Sequence, residues 1–284
     1  MIMQLLRKLR FPSAEKPAFS VAVTARIDRV LEELRFSEAS VKCNLGCGGR
    51  YHSDWINVDF HGDGDVVFAC DLRGDLPFPE KSCDVVYSSH VIEHFDRLGA
   101  GRFLHECRRV LKSGGIIRLV APDLEGIVRS YLSCLEAAKR GESGADAKYE
   151  WAVIELLDQL VRHQSGGEIL KHWCQPVVPA EAFVAERVGT EYWRARKQCK
   201  EKQLSNPDVT DENVGKFRLG GEVHQWMYDR YSLGKLLTDF GFVDVRICLA
   251  DESAIQDFAK YHLDTEPDGT LYKPDSFFIE AVAP

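Results

Sequence analysis

Val41-Lys42-Cys43-Asn44-Leu45-Gly46-Cys47-Gly48-Gly49, followed shortly by Ile56-Asn57-Val58-Asp59, is the stretch on which the fold turns. The first part reads as a strand ending in a glycine-rich turn, where the missing Cβ lets the chain bend sharply and lets a ligand approach the main chain. Asp59 ends a second short apolar run. In open α/β sheets ligands bind beyond the carboxyl ends of the strands, and an acidic residue after the second strand can hold ribose hydroxyls. The two runs together predict a nucleoside site. They disfavour a dinucleotide, whose pyrophosphate fingerprint G-x-G-x-x-G runs into a helix with its N-terminus facing the anion. Here Gly46-Cys47-Gly48-Gly49-Arg50-Tyr51 has no third glycine in place, and only Arg50 to Trp55 precede the next strand. A cofactor without phosphates does not need that helix.

The pattern continues downstream. Asp65 to Cys70 is a third apolar run, closed by Asp71-Leu72, and Asp84 to Ser89 is a fourth, closed by His90-Val91-Ile92-Glu93-His94. A helix is expected next, then Lys112-Ser113-Gly114-Gly115 as a turn, then a fifth run from Ile116 to Ala121 that ends in Pro122-Asp123. As an ordered set, L-G-C-G, D-L, H-x-x-E-H and L-K-x-G-G resemble the class I S-adenosylmethionine-dependent methyltransferases, in particular the small methyltransferase-domain (type 11-like) group. The resemblance covers about 41–123 and returns near the C-terminus. It implies an α/β, Rossmann-like fold with a seven-stranded, mainly parallel sheet and an antiparallel last strand. It also implies S-adenosyl-L-methionine as cofactor, with Gly46, Cys47 and Gly48 beneath the methionine half, Asp59 on the ribose diol, and Asp71 and Leu72 at adenine. Ser88 or Ser89 would offer a carbonyl to the ammonium group. The short link after Gly49 departs from family members with a full first helix, and Arg50 is the candidate for the methionine carboxylate.

Hydrophobic content of 45% and charged content of 28% are ordinary for a soluble globular chain, and 284 residues allow one large domain or one domain with a substantial insertion. A net charge of -8 speaks against a dominant nucleic-acid surface. Nine cysteines, scattered and without a C-x-x-C pair, do not spell a disulfide framework and suit a reducing, cytoplasmic setting. No run approaches the ~18 apolar residues of a spanning helix. Ile2, Leu5, Leu6 and Leu9 fall on one face of a short N-terminal helix with Arg7, Lys8 and Arg10 elsewhere, a composition that suits docking on the core and also permits peripheral membrane contact.

Val23, Ile27, Val30, Leu31 and Leu34 mark an amphipathic helix, as do Phe103, Leu104, Cys107, Val110 and Leu111. After Asp123, suited to an N-cap, come three helical stretches: Leu124 to Leu135, Val153 to Val161, and Pro179 to Lys202. Their breaks are Gly141 to Gly144 and Ser165 to Gly167. The chain is thus expected to divide into an N-terminal segment (1–40), a core (41–125 and 223–284) and a helical insertion (126–222) between strands five and six, the insertion capping the substrate. In the returning core, Ser232 is expected to cap a helix that Gly241 stops. Phe242 to Leu249 and Phe277 to Val282 are the last strands.

His90-x-x-Glu93-His94 also spells an inverted zinc-peptidase motif. That chemistry needs both histidines on one helix and a third ligand, whereas His90 closes a strand, so no metal is expected. His90 is the first candidate for a general base, with His94 and His224 behind it. His224 opens a polar and aromatic run to Tyr231 that is equally readable as a structural corner using Trp226 and Tyr231. Arg187, Arg194, Arg196, Lys197, Lys200 and Lys202 are interleaved with glutamates and read as a solvated face. The expected reaction is methyl transfer to an oxygen or nitrogen of a small-molecule or saccharide acceptor. A non-catalytic S-adenosylmethionine-binding scaffold is the other reading.

Overall fold

The computed structural model describes residues 19–62, 66–199 and 210–284. The N-terminal apolar face (Ile2, Leu5, Leu6, Leu9), Asp65, Lys200 and Lys202 lie outside them. Seven strands form one sheet: β1 (Lys42–Leu45), β2 (Ile56–Asp59), β3 (Val67–Ala69), β4 (Cys83–Ser89), β5 (Leu111–Pro122), β6 (Val243–Cys248) and β7 (Ser276–Val282). Their order is β3-β2-β1-β4-β5-β7-β6. The pairs β1–β2, β1–β4, β2–β3 and β4–β5 are parallel, while β7 runs antiparallel to β6. Buried residues run almost unbroken along β4 and β7, as strands covered on both faces require.

By contact the chain divides into two compact units. One takes in the described residues up to Ala121 with Arg230–Leu263 and Phe277–Pro284; the other takes in Pro122–Asp229 and Asp264–Ser276.

In the sheet-bearing unit, Ser20 caps α1 (Val21–Phe36) by accepting from the Val23 amide, and Asp96 caps α2 (Arg97–Val110) by accepting from Gly99. The turn expected at Lys112 to Gly115 is instead a bulge inside β5. Cys83 pairs with Leu111 and Val85 with Ile116, so β5 carries extra residues there. Gly114, at φ +80°, donates to the Ala283 carbonyl at 2.8 Å. Ser232 lies within α9 (Arg230–Asp239) rather than at its cap, and Gly241 at φ +86° follows its end.

No helix follows β1. The sheet face that a full first helix would cover is taken by the β6–β7 connection. Ala250, Ile255, Phe258, Tyr261 and Leu263 pack with Trp55, Val85, Tyr87, Val120 and Phe278. Trp55 meets Tyr261 and Phe258 edge-on, with ring centroids 5.3 and 6.4 Å apart. Arg118 of β5 is fully buried in this layer. It donates to Glu280 at 2.8 Å and to the carbonyls of Leu249, Ala250 and Glu252, and lies 4.5 Å over the Phe258 ring. One guanidinium therefore ties the connection to the sheet.

The other unit is helical: α3 (Leu124–Lys139), α4 (Ala145–Val161), α5 (Gly167–Trp173), α6 (Glu181–Val188), α7 (Thr190–Cys199) and α8 (Asp211–Leu219). Its core is aromatic, Trp151 and Trp173 stacking and Tyr192 meeting Trp173 edge-on. The single helix expected over 179–202 is broken at Gly189, whose φ is +73° and whose missing side chain leaves room for Pro274. That packing, with Lys273–Glu191 at 3.5 Å, draws 264–276, expected in the core, into this unit. Asp123 stands at the N-cap of α3 without a side-chain capping bond. Trp226 and Tyr231, the expected corner, are exposed, whereas Val223 and Tyr228 are buried. The basic face is largely paired: Arg187 with Glu155, Arg194 with Glu266, Arg196 with Glu181. One disulfide joins Cys174 to Cys199, a pair that spacing did not single out, and the other seven cysteines are buried thiols.

Candidate active site

The carboxyl ends of β1, β2 and β4 lie side by side, with Leu45 opposite both Val58 and Ser88. Past Leu45 the chain turns through Gly46 at φ +72° and Gly48 at φ +51°, values that favour glycine. The turn is bound to β2, Gly46 and Cys47 both donating to the Val58 carbonyl at 2.8 and 3.1 Å. The two glycines differ in what surrounds them. A Cβ on Gly46 would meet Val91 Cγ2 at 2.3 Å and Leu72 Cδ1 at 3.6 Å, whereas one on Gly48 or Gly49 would meet nothing within 4 Å. Gly46 is thus a packing glycine, and Gly48 and Gly49 bare their main chain to open space. Cys47 between them is buried. Beneath the turn, Asn44 donates to the Arg50 carbonyl at 3.0 Å and to Asn57 Oδ1 at 3.3 Å, a buried amide lattice that fixes the link.

Asp59 is held in place. Its Oδ2 accepts from the Gly48 amide at 2.9 Å and its Oδ1 from the His61 amide at 3.3 Å. Each carboxylate oxygen keeps further acceptor capacity. Asp71 meets Arg73 in a two-pronged ion pair, with bonds of 2.7 to 3.0 Å. Burial raises its pKa, and the hydrogen bonds and charge of Arg73 more than reverse this, leaving the carboxyl below its ordinary value. The Arg73 guanidinium also lies 5.9 Å from the exposed Phe60 ring. Arg50 donates through Nε to the His262 carbonyl at 2.9 Å, so the β6–β7 connection reaches this residue too.

At the end of β4, the buried Ser88 hydroxyl donates to the Leu45 carbonyl at 2.9 Å, and Ser89 pairs with Val120. His90 follows at φ +55°, its amide donating to the Val120 carbonyl at 2.9 Å. A non-glycine residue there is strained. Ile92–His94 form one 3-10 turn, anchored by the buried Ile92 and Phe95. His90 and His94 accordingly do not share a helix. Sequence reasoning overlooked Glu93: it is fully buried, and its Oε1 lies 3.3 Å from His90 Nδ1. The signal was a glutamate three residues after His90, between the apolar Ile92 and Phe95. His224 is in the helical unit, buried, its amide donating to the Gln159 carbonyl at 3.0 Å.

Residues 44–119 match the family model described as a methyltransferase domain. Solved structures similar over most of their length include a SAM dependent methyltransferase from Archaeoglobus fulgidus, at 15% identity over 92% of this chain and 93% of that one, with a TM-score of 0.38. A SAM-dependent methyltransferase from Thermotoga maritima, titled a possible histamine N-methyltransferase, aligns at 14% identity over 93% and 99%, with a TM-score of 0.37. A geranyl diphosphate methyltransferase in complex with SAM aligns at 12% identity over 92% and 85%, with a TM-score of 0.35. No curated protein matches the chain. On the family model, with the strand order and the glycine turn that opens beside an acidic residue, residues 44–119 carry a methyltransferase domain, consistent with the class I S-adenosylmethionine-dependent methyltransferases of the type 11 group.

Proposed function

We propose that this enzyme methylates an oxygen or nitrogen of a small or glycan-type acceptor, with His90 as the base. The observation that carries this reading is the backbone of His90, which is held in a strained conformation just past β4, beside the bare glycine turn. Strain of this kind concentrates at functional sites. The bound cofactor supplies a methyl group already activated by its sulfonium. The chain's part is therefore alignment, with proton removal where the acceptor is a hydroxyl. Imidazole is the side chain that exchanges protons near neutral pH; His94 and His224 stand behind His90 for this role.

Gly46, Cys47 and Gly48 would line the methionine half, and the open space at Gly48 and Gly49 leaves room for close approach to their main chain. Asp59, already oriented by the Gly48 and His61 amides, would take the ribose diol on its remaining lone pairs. Asp71 and Leu72 would face adenine. Arg50 would meet the methionine carboxylate, and the carbonyl of Ser88 or Ser89 its ammonium. The helical unit, entered at the end of β5, would carry acceptor recognition.

Calorimetric titration tests the site: S-adenosylhomocysteine should bind and NAD should give no heat. Asp59→Ala should weaken S-adenosylhomocysteine by about 1.5–3 kcal/mol, the cost of a charged hydrogen bond. Release of S-adenosylhomocysteine over a panel of phenols, amines and free sugars would then define the acceptor. With an accepted compound, His90→Ala should slow single turnover by about 10²–10⁴. An unchanged rate removes His90 from the chemistry.

A further inference from the structure

We infer that Glu93 is the positioning residue of this site: its carboxylate fixes His90 as the Nδ1–H tautomer and so directs the Nε2 lone pair to the acceptor. The inference rests on the reading of His90 as base and adds a residue that reading does not contain. Glu93 is fully buried, and Oε1 lies 3.3 Å from His90 Nδ1. A carboxylate taken out of water is costly unless a donor or cation meets it, and the imidazole Nδ1–H is such a donor. At this separation the pair is close enough for a hydrogen bond but is not aligned as a finished one. Catalytic hydrogen bonds are often long or poorly aligned without ligand and tighten when the complex forms.

The local chain sets where the carboxylate sits. Ile92, 1% exposed, and Phe95, 6% exposed, anchor the 3-10 turn on either side of Glu93. The Phe95 amide donates to the Ile92 carbonyl, and the His94 amide donates to the Val91 carbonyl at 3.0 Å. Val91 is itself wedged against Gly46. On the other side, His90 is tied to β5 through its amide and held at positive φ. Carboxylate and imidazole are thus set by two independent anchors, one in the turn and one in the sheet. The strain at His90 then has a use, because an extended residue following β4 would carry the ring in another direction. An acid that holds a histidine by one nitrogen and leaves the other for the reacting group is the general arrangement of base and orienting carboxylate.

The experiment is long-range proton–nitrogen correlation NMR on the full chain labelled with ¹⁵N-histidine, with S-adenosylhomocysteine bound. His90 is assigned by loss of its signals in His90→Ala. In the native protein the neutral His90 ring should show its pyrrole-like shift at Nδ1 and its pyridine-like shift at Nε2. In Glu93→Gln, whose amide can donate to Nδ1, the two shifts should exchange. Thermal unfolding of the same variant separates this from packing, because a purely structural Glu93 would move the midpoint and leave the tautomer alone. A native ring protonated at Nε2, or a tautomer unchanged in Glu93→Gln, overturns the inference; the native measurement needs no variant to fold. His90 as base is judged separately by turnover of His90→Ala, so the two readings fail on different observations.

Discussion

Each unit hides an ion pair, and the two carboxylates respond in opposite ways. In the sheet-bearing unit Glu280 is met by Arg118, Arg246, the Ser253 hydroxyl and the Ala254 amide. Burial raises its pKa, but these four donors more than offset it, and the carboxyl lies below its ordinary value. In the helical unit Glu155 has Arg187 as its partner, at 2.8 Å, and Asp275 repels it. Burial prevails there, and the carboxyl is raised. Inside a protein the fate of a charge depends on how many donors reach it as well as on whether it has a counter-ion. The sheet can supply those donors because β5, β6 and the segment after β6 all converge on one carboxylate of β7.

The largest expected effect tests that convergence. Arg118→Met leaves Glu280 buried without its innermost cation and should cost about 3–5 kcal/mol in guanidinium unfolding. The double change Arg118→Met/Glu280→Leu should recover much of this. If the single and double variants were equally unstable, the network would matter only through its volume.

Second in size is the covalent link confined to the helical unit. Cys174→Ser/Cys199→Ser opens a loop with a sequence separation of 25, for which chain entropy gives about 3.5 kcal/mol. Hydrogen exchange should show the loss of protection in α5 and α7, with β1, β4 and β5 unchanged. Equal loss in the sheet would mean that the two units unfold as one.

The smallest effect, and the sharpest for the comparison, is with pH. The lowered carboxyls of Glu280, Glu106 and Asp71 add stability that is complete above their ordinary values of 4.5 and 3.8 and fades as pH falls through their folded values. Glu155 is raised, so its contribution is complete below 4.5 and fades as pH rises through its folded value. Acidification from neutral pH should therefore loosen the sheet before the helices, read as exchange in β5 and β7 against α4. Glu155→Gln should flatten the response of α4 alone.

The periodic runs of Val41 to Asp123 determine the parallel half of the sheet, because buried strands must be apolar wherever they occur. The glycines that bend the turn and Asp59 beside it are local requirements too, and they can be read without knowing any distant contact. Other features depend on contacts across long stretches of chain. Arg118, a lone charge in a strand, becomes interior because Glu280, 162 positions later, meets it. The sheet face beside the short β1–β2 link is closed by residues from the other end of the chain, so nothing near Gly49 announces what covers it. The helix break at Gly189 depends on Pro274, the Cys174–Cys199 bond on a Cα separation of 5.2 Å, and the setting of Glu93 beside His90 on a left-handed residue. Local periodicity encodes which residues are buried. Which buried groups meet is decided only when distant segments pack, because burial cost and donor supply are properties of the assembled interior.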